Sequence, residues 1–151
     1  MRWPAVGAVL ALAACGAPDE PLISASQIEG DTIPLALTDL PGNADRGETA
    51  FASRESGHCV LCHAADGLTA EFQGNVGPEL SLVGDRLSAG QLRLRIVDYQ
   101  IVRPGTLMPS YYRIRDLYQV GEAFEGTPIL TAQEVEDLVA YLRARRSDDE
   151  R

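Results

Sequence analysis

The 151-residue chain lacks a basic surplus: 13 basic against 22 acidic side chains leave a formal charge of −9. A nucleic-acid binder carries a basic face as its electrostatic footprint, so that class is excluded. It also lacks an apolar run long enough to span a bilayer as a mature helix, which takes roughly 20 residues. Internal repeats are missing, as is any convincing run of alternating strands. Cysteine is scarce, with three in the chain, and two of them lie three positions apart, where they cannot staple distant parts of a fold. The core must therefore hold by packing, or by something bound within it. Hydrophobic residues make up 45%, which suits one soluble globular domain of ordinary size.

The first fifteen residues read as an export signal, with "MR" as the basic start and "WPAVGAVLALAA" as an apolar run ending in small residues. Its end, "LAAC" from Leu12 to Cys15, resembles the lipobox of bacterial lipoproteins. In those proteins the cysteine becomes the lipidated first residue and anchors the chain to a membrane. An ordinary cleavable signal with a chance cysteine is the alternative. Either way the mature chain is expected outside the cytoplasm, in the periplasm. Loss of Arg2 moves its charge from −9 to −10.

Residues 16–43 carry Pro18, Pro21, Pro34 and Pro41 among scattered acids, with no helical period. They read as a tether or wrapping segment before a domain at 44–146, with 147–151 a frayed tail. Asp45 is placed to cap a short helix over "RGETAFAS", with Gly47 and Phe51 one turn apart. "SAGQLRLRIVDY" pairs Ser88 with Gln91 in a capping-box pattern, and Leu92 and Ile96 follow a turn apart, with Arg93 and Arg95 off that stripe. "TAQEVEDLVAYLRARR" pairs Thr131 with Glu134, and Val135, Leu138, Val139 and Leu142 share one helical face. The stretch "GLTAEFQGNVGPEL" is expected to be irregular loop.

Cys59, Cys62 and His63 spell C-x-x-C-H, the signature of covalent c-type haem attachment. On a short helical turn, cysteines three apart face one side and can each form a thioether with a haem vinyl group, and the next histidine reaches the iron. A structural zinc site wants four ligands, usually in two pairs, and here both histidines abut the cysteine pair. A redox dithiol wants a βαβ context, which the sequence does not offer. The iron's other face needs a second ligand. Met1 goes with the signal, which leaves Met108 in "GTLMPSYY", 45 residues past His63 (108 − 63). A thioether is soft, favours reduced iron and suits an electron carrier. His58 reads as an exposed loop residue held on the cysteine side. The carbonyl of the Gly77-Pro78 step is placed to accept the His63 N–H and fix its tautomer. Tyr111, Tyr112, Arg86 and Arg113 are candidates for the haem propionates.

These residues resemble a class I cytochrome c domain, an all-α fold of short helices and long loops around one covalent haem c. Gly47, Phe51 and Tyr141 match that family's crossing of N- and C-terminal helices, and Pro78 its proline after the haem site. From residue 74 to 142, "GNVGPELSLVGDRLSAGQLRLRIVDY", "MPSYYRI" and "PILTAQEVEDLVAYL" resemble the SoxX family, small cytochrome subunits of the SoxAX complex in bacterial sulfur oxidation. Pro-Glu at 78–79 departs from an expected Pro-Pro. The resemblance implies a heterodimer with a SoxA-like haem subunit, acting on a carrier-protein complex of SoxYZ type and passing electrons to a downstream acceptor. It implies the electron-transfer role in an L-cysteine S-thiosulfotransferase complex, with no substrate site in this chain. A free-standing monohaem carrier to an oxidase shares all of the haem chemistry.

Overall fold

Capping chemistry decides where the helices begin. In the computed structural model, which describes residues 22–147, Asn43 opens α1 (Ala44–Ala52): its side-chain oxygen accepts the Arg46 backbone N–H at 2.8 Å. Asp45, expected in that role, lies inside the first turn, where its charge favours the helix dipole. Asn43 takes the cap because its own N–H is pinned to Asp137 at 2.8 Å, which fixes where the chain enters the helix. The export signal, Cys15 and residues 148–151 lie outside the described residues.

α2 (Val83–Arg86) is a single turn. α3 (Ala89–Val102) and α4 (Ala132–Ala144) start at Ser88 and Thr131 through the reciprocal bonds with Gln91 and Glu134 that the sequence dictates. α4 ends at Ala144, so Arg145 and Arg146 fall beyond it. Among the described residues the secondary structure is helical, with one isolated bridge between Glu29 and Thr32 and no strand. No described helix is long and apolar enough to cross a membrane.

α1 crosses α4 at Gly47. A Cβ there would run into the Asp137 carbonyl and come within 2.7 Å of the Tyr141 Cβ, so only glycine lets the two backbones close. One turn on, the Phe51 ring meets Tyr141 with centroids 5.5 Å apart and planes tilted by 52°, a geometry that aromatic quadrupoles favour. Val135, Leu138, Val139 and Leu142 bury the inner face of α4 against Leu92, Leu94 and Ile96 of α3. Each such side chain contributes roughly 1.5–3 kcal/mol of transfer free energy.

Arg93 departs from the expected pattern, since it is only 5% exposed. Its Nε and Nη2 fork onto Glu136 of α4 at 2.6 and 2.8 Å, and Nη1 donates to the Ile33 carbonyl at 2.7 Å. Glu136 also accepts the Leu37 N–H at 2.9 Å. One buried pair thus ties α3, α4 and the incoming segment together. Ile33 is fully buried in that segment, and Asp31 takes bonds from Gln91 and Arg95 at 2.9 and 3.2 Å. Residues 31–43 lie along α3 and α4 through these bonds.

Candidate functional site

The C-x-x-C-H stretch folds as a 3₁₀ turn over Cys59–Leu61, closed by the N–H groups of Cys62 and His63 on the Cys59 carbonyl at 3.1 and 2.9 Å. The chain enters it through His58, which holds a left-handed backbone, φ +57°, and is half-buried instead of the exposed residue expected. Histidine is among the non-glycine residues that tolerate this region best. The glycine-rich stretch that follows is less irregular than its composition suggests. It runs back beside the motif, with the N–H groups of Gly74, Gly77 and Leu80 donating to the carbonyls of Val60, Cys62 and Ala64 at 2.9, 2.8 and 2.9 Å. Gln73 adds a bond from the Ala65 N–H at 2.7 Å, and Ser81 one from Asp66 at 2.7 Å.

That returning loop fixes His63. Its Nδ1 lies 2.7 Å from the Pro78 carbonyl, which can only accept, so Nδ1 carries the proton and Nε2 presents its lone pair. Gly77 makes room for the ring: a Cβ there would collide with Cε1 and sit 2.6 Å from Nδ1.

Cys59 and Cys62 are not paired with each other. Burial pushes the Cys59 thiol up to about 12, and the neighbouring Cys62 adds to the rise. A redox-active cysteine needs the opposite, a lowered pKa. Among the described residues no three His, Cys, Asp or Glu side chains converge as a zinc site would require.

Met108 is partly buried against the core, and its N–H donates to Thr106 Oγ1 at 3.2 Å. Beyond it, the Tyr111 and Tyr112 N–H groups donate to the Ile96 and Val97 carbonyls of α3, both at 3.2 Å, and the Leu130 N–H donates to the Tyr111 carbonyl at 3.1 Å. Tyr111 is buried. Burial raises its phenol pKa, and the nearness of Cys59 and Cys62 raises it further. Tyr111 is therefore within electrostatic reach of the cysteine pair, and Cys59 and Met108 both pack against the core cluster that contains it. Of the propionate candidates, Arg86 donates to the Glu79 carbonyl at 3.0 Å, and Arg113 to Asp98 at 2.8 Å and the Asp116 carbonyl at 2.9 Å. Both are thus engaged by the protein. Tyr112 faces a cleft of about 110 Å³ shared with Leu22 and Ile23.

Gln73 and Asp98 also belong to this arrangement. Gln73 gave no signal, being one polar residue in a polar loop. Asp98 did give one, because an aspartate in mid-helix competes with the backbone for hydrogen bonds.

Two free thiols three residues apart, an imidazole with Nε2 available and a thioether on a neighbouring loop form a donor set that fits haem c. A cytochrome c family model matches residues 44–145. The chain belongs to the cytochrome c family, and carries covalently attached haem c on the all-α class I fold. It is similar to a chain in the crystal structure of SoxXA from P. pantotrophus, with 33% identity and a TM-score of 0.73, over 78% of this chain and 91% of that one. Within the family it is a SoxX-type cytochrome, and so a haem electron-transfer protein. No curated protein matches the chain.

Proposed function

We propose that this chain is the electron-accepting subunit of a SoxAX-type complex, exported to the periplasm. Its likeness to a SoxXA chain across nearly the whole of that chain carries the reading. In it, Cys59 and Cys62 would hold the haem by thioethers, while His63 Nε2 and the Met108 sulfur would bind the iron. When bound, the haem supplies one-electron redox chemistry. Pro78 keeps the proton on Nδ1 of His63 and so leaves the Nε2 lone pair free for the iron. Met108 favours the reduced iron and raises the potential.

With His63 and Met108 both on the iron, the chain would offer no vacancy for substrate. A SoxA-like haem partner therefore does the chemistry, joining thiosulfate oxidatively to a cysteine of a SoxYZ-type carrier. The electrons released leave through this chain to a downstream acceptor. Cys15 is the proposed site of lipid anchoring. Isolation from the native host tests the assignment: the reading expects co-purification with a second haem subunit. A monomer in every preparation would favour the free-standing carrier instead. Intact mass of the same material reads the haem, the N-terminus and any acyl chains on Cys15 together.

A further inference from the structure

α3 is broken at Asp98, whose φ and ψ of −159° and 91° are extended instead of helical. The break turns two carbonyls out of the helix. Those of Ile96 and Val97 accept the N–H groups of Tyr111 and Tyr112, just past Met108. In an unbroken helix the Ile96 carbonyl would take the Gln100 N–H, and here that N–H goes to Asp98 Oδ1 at 3.1 Å. The same oxygen accepts the Ser110 hydroxyl at 2.6 Å, and Oδ2 accepts Arg113 Nη1 at 2.8 Å. Asp98 and Ser110 are 4% and 9% exposed. One buried carboxylate thus satisfies the broken helix and grips the loop two and five residues beyond Met108. On the other flank the grip is weaker: Gln100 Nε2 reaches the Thr106 carbonyl only at 3.5 Å.

A buried, charge-assisted bond holds its partner more firmly than a neutral one. A thioether is a weak ligand for oxidised iron, so its residence depends on how firmly the loop presents it. We propose that Asp98 is a positioning residue for the iron ligand: through Ser110 and Arg113 it holds the Met108 loop closed and keeps the thioether from exchanging. This rests on Met108 being the axial ligand, as proposed above.

The test uses the ferric holoprotein and the variants Asp98→Ala, Ser110→Ala and Asp98→Asn. Three quantities are read: the far-red sulfur-to-iron charge-transfer band, the rate at which added imidazole captures the iron, and the midpoint potential. Asp98→Ala should lose the band or speed imidazole capture by about tenfold or more, and lower the potential, because a buried charged hydrogen bond is lost. Ser110→Ala should move the same way by a few-fold, and Asp98→Asn, which keeps an acceptor, should fall between wild type and Asp98→Ala. A merely structural role would lower the unfolding temperature and leave the band alone. The inference is overturned if both alanine variants keep the band and capture imidazole within about twofold of wild type. Should Asp98→Ala not accumulate as holoprotein, Ser110→Ala decides by the same criterion. A wild-type protein without the band would remove the Met108 assignment itself, and this inference with it, which separates the two failures.

Discussion

Replacing Gly77 with alanine tests how His63 is seated. The new Cβ would collide with the ring at Cε1 and lie 2.6 Å from Nδ1 and 2.8 Å from Nε2. An ordinary carbon contact is about 3.5–4.0 Å, so ring and loop must part by about 1 Å. Two bonds resist: Nδ1 to the Pro78 carbonyl at 2.7 Å, and the Gly77 N–H to Cys62 at 2.8 Å. Overpacking of this kind costs about 1–3 kcal/mol, and a lost hydrogen bond adds about 1. A total near 2–4 kcal/mol corresponds to a fall of about 10 °C in Tm for a domain of this size. The assay is thermal unfolding of the ferric holoprotein followed by circular dichroism and haem absorption. Gly121→Ala is the control, since its Cβ would meet nothing nearer than Phe124 Cδ2 at 3.9 Å and should shift Tm little. A Gly77→Ala Tm within about 2 °C of wild type, with an unchanged haem spectrum, would refute the reasoning.

Further predictions follow from the same packing. Glu136→Gln leaves the buried Arg93 without its counter-charge, which should cost about 3–5 kcal/mol in urea unfolding, and the double replacement Arg93→Met with Glu136→Leu should recover most of it. Phe51→Ala removes a fully buried ring from the α1–α4 crossing and should cost about 3–5 kcal/mol in the same assay. Burial pushes the Asp137 carboxyl up, but bonds from Arg46, Asn43 and Gln133 outweigh it and hold the pKa below the usual carboxylate range. Its contribution is therefore full above about pH 4 and lost as pH falls through the lowered folded value, so Asp137→Asn should flatten the acid limb of the stability profile.

The sequence displayed what is local. C-x-x-C-H, the two capping boxes and the apolar face of α4 each span a few residues and fold as their spacing dictates. What stayed hidden is non-local or depends on the backbone. Arg93 lies off the apolar stripe of α3, and nothing nearby reveals that Glu136, on another helix, draws it inward. Asp45 looked like the cap of α1, yet the bond from the Asn43 N–H to Asp137 moved the helix start back. Gly74 reads as loop composition and Gly77 only as part of the step whose carbonyl meets His63, when their positions are set by the carbonyls of the haem-attachment turn and by the room the His63 ring needs. Asp98 was visible as a poor helix former, but its partners Ser110 and Arg113 became apparent only once the Met108 loop had folded against α3.

The most direct test of the proposed role is the oxidation state of this chain's haem when thiosulfate is added. The purified ferric protein is followed by visible absorption alone, then with a SoxA-type partner and a SoxYZ-type carrier. The proposed role predicts no reduction alone and reduction in the reconstituted mixture. Reduction by thiosulfate without the partner, or none within an assembled complex, would contradict it.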